Sequence, residues 1–157
     1  NYQETDAYYQ YLQDVIKKCG AEDVIFPGHI AFNAILAYYK IADLFLCMSE
    51  HEGFCVPLVE AMFFETPIVA YASTAIPGTL GGSGVLVETK EPEMVAETMN
   101  RVMQDAEYRS EILKKQDERL KDFAYESIRG QILDEIEKVQ QYKIDKVRNQ
   151  NGEEKAD

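Results

Sequence analysis

Apolar residues follow two alternating patterns along the first part of the chain. Spacings of three or four positions are typical of helices, and short unbroken apolar runs are typical of strands that are buried on both faces. The helical spacing covers residues 6–20, 32–42 and 57–65. The apolar runs cover residues 23–28, 43–49, 67–71 and 84–88. Strands that alternate with helices pair in parallel, so the pattern predicts an α/β fold, a Rossmann-like parallel sheet with helices on both faces.

The pattern becomes entirely helical in the second part of the chain. Amphipathic spacing predicts three further helices at residues 91–105, 106–123 and 125–142. Residues 143–157 are polar and charged, and we expect this tail to be frayed or disordered. The sequence therefore predicts one folded domain over residues 1–142, followed by the tail.

Charge and cysteine content narrow the classes of partner. The chain has 157 residues and a net charge of −12, which argues against nucleic acid and anionic membranes as partners. The three cysteines show no zinc-like spacing, and Cys19 and Cys47 lie in apolar patterns, so we expect these two to be buried. Free thiols, together with the absence of a recognisable signal peptide or membrane span, favour a cytoplasmic location.

Residues 49–62, SEHEGFCVPLVEAM, place one carboxylate on each side of a predicted helix start. Glu52 follows a predicted strand and so lies at the carboxyl edge of the sheet, where α/β proteins bind ligands. It could accept a hydrogen bond from a sugar hydroxyl or stabilise positive charge on a sugar ring, and Glu60 could accept from a ribose diol. The residue types alone also fit a simple loop carboxylate at Glu52 and a dipole-compensating acid at Glu60.

The helix start itself is predicted to lack a cap. Pro57 suits the first helical position, which makes Val56 the predicted N-cap. A valine side chain accepts no hydrogen bond, so the amides of Leu58, Val59 and Glu60 are predicted to be without a local partner. Unpartnered amides at the positive end of a helix bind anions, and phosphate is the expected guest.

The run EHEGFCVPLVEAMFFETPIVAY resembles the signature of retaining glycosyltransferases with the GT-B fold, of the family-4 type. The family hallmark of two glutamates separated by seven residues corresponds to Glu52 and Glu60. The family's GF pair corresponds to Gly53 and Phe54, and its P-L-x-E-A-M run to Pro57 through Met62. Further similarity lies in VIFPGHI (24–30), AYYKIADLFLCMS (37–49), TPIVA (66–70), GVLVE (84–88) and FAYESI (123–128).

The resemblance implies a role for each matched residue. Glu52 would contact the donor sugar as the catalytic residue, and Glu60 would bind the nucleotide ribose. The other implied contacts are Gly53, Phe54 and Cys55 at the sugar, Leu58 and Val59 at the diphosphate, and Gly28 and His29 near the base.

The resemblance also implies the chemistry of the parent protein. It would transfer a hexose from a nucleotide-diphosphate sugar of the UDP or GDP type to a glycan, lipid or small acceptor, with no metal or other cofactor. This chain would be a truncated C-terminal half of the GT-B fold. The acceptor-binding N-terminal domain, any membrane-associating region, and the Arg and Lys that neutralise the diphosphate would lie outside it, so the isolated chain is expected to be inactive. The alternative is a non-catalytic α/β module that binds a nucleotide or a protein.

Two features depart from the family pattern. Gly78 stands where the family has a glutamate, so no side-chain role is expected there in the predicted loop 74–84. The family sheet has the strand order 3-2-1-4-5-6, and residues 24–27 would be strand 3 without strands 1 and 2 beside it. Unpaired buried backbone costs about 1–3 kcal/mol per group, so we expect direct pairing with the strand at 43–48, or an edge-to-edge dimer.

Overall fold

The computed structural model describes residues 3–21 and 23–153, with the side chains of residues 7–21 and 23–146. The chain divides into two compact units, Asn1–Ile35 and Leu36–Asp157, and the division falls within helix α2 (Phe32–Ile41). Within the described part of the chain, no helix combines the length and the apolar character that a bilayer span requires.

The first unit contains one long helix, α1 (Gln3–Cys19), where the helical spacing predicts one. Gly20, with a φ of 65°, ends the helix. Its amide donates to the Lys17 carbonyl at 3.3 Å, and the amide of Ala21 donates to the Ile16 carbonyl at 3.0 Å. This type of helix end needs one residue in the left-handed backbone conformation, which glycine adopts without steric penalty. The predicted stop at Gly20 is confirmed.

The segment 23–28 forms no strand, contrary to the sequence prediction. It has no regular secondary structure and its apolar side chains are exposed. The ring of Phe26 packs edge-on against Tyr9 of α1, with the ring centroids 5.3 Å apart. A strand is stabilised by the hydrogen-bond ladder of a partner, and the sheet in the described residues does not include this segment. The expected pairing with the strand at 43–48 is therefore wrong, and the edge-to-edge dimer stays a prediction.

Helices and short strands alternate in the second unit, as the pattern predicts. The strands are β1 (Phe45–Cys47), β2 (Ile68–Tyr71) and β3 (Val85–Val87). The helices that follow α2 are α3 (Val56–Phe63), α4 (Ile76–Leu80), α5 (Pro92–Gln104), α6 (Ala106–Leu120) and α7 (Tyr125–Glu153), with a 3-10 turn at Lys121–Phe123.

The three strands form a parallel sheet in the order β1-β2-β3, with Phe45 opposite Ile68. The predicted α/β fold with a parallel sheet is confirmed. The central strand β2 is almost entirely buried, whereas Leu46 of β1 is 39% exposed. The expectation that residues 43–49 are buried on both faces is wrong, because an edge strand has a neighbour on one side only and part of its surface stays uncovered.

Alternate residues of β2 belong to two separate apolar cores, because successive side chains of a strand point to opposite faces. On one face, Ile68 and Ala70 pack with Leu58 and Met62 of α3. The core on the other face joins the sheet to α5 and α6 and contains Val69, Val87, Val95, Val102 and Ile112. Helices therefore cover both faces of the sheet, as predicted.

A buried glutamine ties α6 to the start of β2. Gln116 is 1% exposed. Its Oε1 accepts from the amide of Ile68 at 3.1 Å, and its Nε2 donates to the carbonyl of Thr66 at 2.9 Å. One side chain thus satisfies a buried backbone donor and a buried backbone acceptor at the strand that both cores share.

Helix α4 lies inside the segment 74–84, which the sequence predicts to be a loop. The helix has only five residues, and Pro77 lies in its first turn. Ile76 and Leu80 are both fully buried in the core beneath α3. Tertiary burial of these two side chains, four positions apart, stabilises a helix that is too short to be stable by itself.

The last helix, α7, extends further than the sequence predicts. The tail expected at 143–157 is helical as far as Glu153, and residues 154–157 lie outside the described residues. Ion pairs one turn apart, such as Lys138 with Glu135 at 2.6 Å, add support along this exposed helix. The domain boundary at residue 142 stays a prediction.

Replacing Gln116 by alanine should destabilise the second unit, because the Ile68 amide and the Thr66 carbonyl would stay buried without a partner. We expect the free energy of unfolding in urea to fall by about 2–4 kcal/mol. The control Gln140→Ala, the same change on the exposed surface of α7, should alter it by less than about 0.5 kcal/mol. Equal stability of the two variants would contradict the role assigned to Gln116.

Candidate functional site

The loops that follow β1, β2 and β3 meet at the carboxyl edge of the sheet. Glu52 lies in the first loop and is half-buried, Thr74 lies in the second, and Lys90 lies in the third. The Lys90 ammonium pairs with the Glu50 carboxylate at 2.9 Å and joins the first loop to the third. The hydrogen bond and charge of Lys90 hold the pKa of the exposed Glu50 carboxyl below its ordinary value. Glu52 thus lies at the edge where α/β sheets bind ligands.

Thr74 fixes the backbone of Glu52. Its Oγ1 accepts from the Glu52 amide at 2.8 Å and donates to the Glu52 carbonyl at 2.9 Å. Thr74 has a φ of 38°, in a left-handed region that β-branched residues rarely adopt. A strained conformation of this kind persists only where its surroundings hold it, and the two hydrogen bonds to Glu52 are part of that support.

Two more hydroxyl groups hold the ends of the same loop. Ser73 Oγ donates to the carbonyl of Ser49 at 2.7 Å, and Thr79 Oγ1 donates to the carbonyl of Phe54. The segment after β2 therefore holds the Glu52 loop at three points. These hydroxyls are not among the site residues predicted from the sequence; the available signal is the pair Ser73-Thr74 directly after a buried strand.

Gly78 acts through its backbone, in line with the expectation that it has no side-chain role. Its carbonyl accepts from Arg119 Nη2 at 2.7 Å, and the carbonyl of Thr79 accepts from Arg119 Nε at 3.1 Å. The guanidinium also pairs with Asp122 at 2.8 Å. Arg119 thus anchors α4, whose Thr79 hydroxyl in turn holds the Glu52 loop.

Helix α3 starts one residue earlier than the sequence predicts. Its N-cap is Cys55, in the left-handed conformation with φ 68° and ψ 68°, and Val56 is the first helical residue, followed by Pro57. No side chain caps the helix. The amide of Leu58 donates to the Cys55 carbonyl at 3.0 Å and the residue is fully buried, so the prediction that this amide is unpartnered is wrong. A tight turn at the helix start supplies the partner that no side chain provides.

Glu60 is held in place by a tyrosine of α2. Tyr39 Oη donates to Glu60 Oε2 at 3.0 Å, and its ring stacks on Phe64 with the centroids 5.8 Å apart. Burial, followed by the hydrogen bond and charge of Glu60, raises the pKa of the Tyr39 phenol, so Tyr39 keeps the proton that it donates. Among the described residues, none donates to Glu60 Oε1. One carboxylate oxygen is thus oriented and the other can accept from a ligand.

Gly53, Phe54 and Val59 lie close to these carboxylates along the chain. Gly53 and Phe54 are exposed in the Glu52 loop, and Val59 is half-buried in α3. The Phe54 ring packs edge-on against Phe123, with the centroids 5.6 Å apart. This contact links the loop to the 3-10 turn that precedes α7.

Gly28 and His29, the residues predicted near the nucleotide base, belong to the first unit. Gly28 has a φ of 64°, in the left-handed region that glycine adopts readily, and His29 follows it in an exposed bend. All residues predicted for the sugar, the diphosphate and the ribose belong to the second unit. The base contact stays a prediction.

Two buried thiols lie beside Glu52. Cys47 Sγ, at the end of β1, is 3.9 Å from Cys55 Sγ, and both thiols are free. Burial, followed by the charge of Cys47, raises the pKa of the Cys55 thiol to about 12. The two sulfurs and a carboxylate oxygen of Glu52 all lie within 4.8 Å of one another. Cys19, expected to be buried, is exposed on α1.

Comparison with known proteins identifies the family. The sequence profile described as Glycosyl transferases group 1 matches residues 6–119. The match covers well over half of the chain, and the chain belongs to this family. The O-antigen chain mannosyltransferase B of Escherichia coli is 24% identical over 106 residues, which are 68% of this chain and 28% of that protein.

Solved structures share the fold. The C-terminal domain of the group 1 glycosyl transferase LpcC from Francisella tularensis is 28% identical, with a TM-score of 0.64 over 73% of this chain and 61% of that chain. The Anabaena protein Alr3699/HepE, solved with UDP and glucose, is 26% identical, with a TM-score of 0.74 over 88% of this chain and 38% of that chain. The resemblance to the C-terminal domain of GT-B glycosyltransferases is confirmed. The chain spans 11% to 28% of the length of the curated relatives that it matches.

Replacing Thr74 by valine should loosen the Glu52 loop, because the branched shape is kept while both hydrogen bonds are lost. We expect the free energy of unfolding to fall by about 1–2 kcal/mol. Amide hydrogen exchange at Glu52, followed by NMR, should accelerate by roughly tenfold or more. The control Thr98→Val removes a hydroxyl that donates to Met94 within α5, and should leave Glu52 exchange unchanged. If Thr74→Val also left that exchange unchanged, the role of the hydroxyl would be refuted.

Native alkylation with iodoacetamide at about pH 8 should modify only Cys19, because Cys47 and Cys55 are buried and alkylation requires a thiolate. Labelling of Cys55 should become appreciable only as the pH rises toward about 12, where its thiol loses its proton. Mass spectrometry counts the adducts, and all three cysteines should react in guanidinium chloride.

The variant Cys19→Ser provides the control for this labelling. Native alkylation should fall close to zero, while the other two thiols still react after denaturation. Native labelling of Cys55 at the rate of Cys19 would show that the buried thiol pair does not exist in solution.

Proposed function

We propose that the chain binds a nucleotide-diphosphate sugar, as the donor-binding domain of a retaining hexosyltransferase. The observation that carries the proposal is the start of α3, which has no side-chain cap and lies between Glu52 and Glu60 at the carboxyl edge of the sheet. Membership of the glycosyl transferases group 1 family supports the class of reaction. The relative solved with UDP and glucose supports a donor of the UDP or GDP type.

The diphosphate would lie at the N-terminus of α3. The whole chain has a net charge of −12, so an anion needs a local source of positive potential. The helix dipole supplies about half a positive charge at this end. Pro57 has no N–H, and the Leu58 amide is already bonded. In a helix whose N-cap is Cys55, the Val59 amide is the first that bonds within the helix, to the N-cap carbonyl. We therefore propose the amide of Val56, the first helical residue, as the α3 contact to phosphate.

Glu60 would bind the ribose. Its Oε2 is fixed by Tyr39, and Oε1 can accept from a ribose hydroxyl. Because the Tyr39 phenol keeps its proton, the tyrosine orients the carboxylate in one direction before the ligand arrives. Such preorganisation reduces the entropic cost of ordering the side chain when the ligand binds.

Glu52 would face the donor sugar. When the bond from the sugar carbon to the leaving diphosphate breaks, positive charge develops on the sugar ring and negative charge on the diphosphate. The Glu52 carboxylate would stabilise the positive charge on the sugar ring, and the start of α3 would stabilise the negative charge on the diphosphate. Charges that are already in position when the reaction begins are the largest single source of catalysis in many enzymes. The exposed backbone of Gly53 and Phe54 lies next to Glu52 and would contact the same sugar.

Sugar transfer would also need regions that the matched relatives have outside this chain. The matched part is at most 28% of a curated relative, and an acceptor must be held against the donor. We propose that those regions supply the acceptor site and the cations for the diphosphate, and that the isolated chain transfers no sugar. The acceptor class, a glycan, a lipid or a small molecule, belongs to the same regions.

Nucleotide sugars should raise the melting temperature of the chain, since a ligand that binds only the folded state stabilises it. We expect one series among UDP-, GDP- and ADP-linked hexoses to do so in differential scanning fluorimetry. Glu60→Ala should raise the dissociation constant about 10- to 100-fold, because a charged acceptor of a ribose hydroxyl is lost.

Glu97→Ala is the matched control, since Glu97 is exposed on α5 away from the carboxyl edge. It should leave the shift with nucleotide sugar unchanged. If no nucleotide sugar stabilised the chain, or if both variants responded equally, the donor-site proposal would be wrong and a non-catalytic module would be favoured.

A further inference from the structure

The proposed transfer assigns no chemical step to the buried thiol groups beside Glu52. Cys47 and Cys55 are 8% and 5% exposed, and the fold brings them together across eight positions of sequence. Cys55 holds a left-handed conformation, in which glycine would meet less strain, so a cysteine stands where the backbone favours a smaller residue. The half-buried carboxylate of Glu52 is the third member of the cluster.

The spacing of the three groups fits the binding of a metal ion. Two thiolates bound tetrahedrally to Zn²⁺ at about 2.3 Å each are separated by roughly 3.8 Å. The two sulfurs lie 3.9 Å apart, with a carboxylate oxygen of Glu52 within 4.8 Å of both. A disulfide needs the sulfurs at about 2.05 Å, so the thiols would have to approach each other to form one.

We propose that Cys47, Cys55 and Glu52 form a binding site for a thiophilic divalent cation of the Zn²⁺ type. Two thiolates and one carboxylate provide three ligands, and water or a further ligand completes the tetrahedron. Binding displaces the two thiol protons to solvent and involves no oxidation or reduction. Two soft sulfur donors disfavour Mg²⁺ and Ca²⁺, which prefer oxygen ligands.

The ion would regulate the donor site, because it would occupy the carboxylate that the donor sugar needs. Coordination would fix Glu52 on the Cys55 side of the loop and neutralise its charge. Zn²⁺ and the nucleotide sugar would therefore compete. This consequence rests on the proposed function of Glu52, whereas binding of the ion does not.

Cobalt substitution tests the site directly. Titration of the chain with Co²⁺ should give a thiolate-to-cobalt charge-transfer band that saturates at one ion per chain. Wild type and Cys19→Ser should behave alike, while Cys47→Ser and Cys55→Ser should each weaken the band to half or less, because only one thiolate remains. Glu52→Gln should keep the band.

The affinity for Zn²⁺ is measured by competition with a chromogenic chelator. It should fall in each thiol variant by more than the roughly 10- to 100-fold that is typical when a residue beyond the direct ligands is lost.

A second measurement needs no variant and therefore does not depend on the folding of mutants. Calorimetry in buffers of different ionisation enthalpy should report about two protons released per Zn²⁺ ion bound. Saturating Zn²⁺ should also protect Cys47 and Cys55 from oxidation by hydrogen peroxide. The absence of a charge-transfer band, its persistence in the Cys47→Ser/Cys55→Ser double variant, or a disulfide that forms despite saturating Zn²⁺ would each overturn the metal site.

Competition with the donor is measured separately. Zn²⁺ should reduce the thermal shift produced by the nucleotide sugar in wild type but not in Cys47→Ser. If the cobalt spectrum formed as expected and Zn²⁺ left the thermal shift unchanged, the metal site would stand and the competition would be refuted. If no nucleotide sugar bound at all, the proposed function would fail while the cobalt spectrum still decided the metal site.

Discussion

The two hydrogen bonds between Thr74 and the backbone of Glu52 are the contact on which the candidate site depends. They attach the loop after β1 to the segment after β2, and β2 is the strand that both apolar cores share. The position of Glu52 is therefore set by the most buried part of the fold. Gln116 and Arg119 of α6 reinforce this arrangement from opposite ends, since one holds the start of β2 and the other holds α4.

The proposed donor site imposes a second constraint, because an acidic protein would have to hold an anion. A surface with net negative charge repels a diphosphate, so within this chain the proposed attraction would come from backbone groups. The start of α3, which no side chain caps, would provide such groups. Glu60 lies one turn further along α3, and Tyr39 orients its carboxylate.

The thiols of Cys47 and Cys55 lie beside Glu52 and offer its carboxylate a second possible partner, a metal ion bound between them. Glu52 is positioned through its backbone by Thr74, which leaves its carboxylate able to turn toward a sugar or toward Cys47 and Cys55. A carboxylate shared between two ligands makes their binding mutually exclusive. In this arrangement, metal availability would set the fraction of chains able to accept a donor, without any change in the fold.

The sequence by itself determined the alternation of helices and strands, the Glu52–Glu60 signature and the uncapped helix start, because periodicity and residue type act locally. The sequence-based prediction failed at segment 23–28, whose apolar run has no partner strand in the described part of the chain. It failed also at α4, which depends on tertiary burial. It also gave no sign of the three hydroxyls that hold the Glu52 loop, the Tyr39–Glu60 bond or the Cys47–Cys55 pair. These contacts join residues from separate strands and helices, and only the packed sheet brings them within hydrogen-bonding or ligand distance.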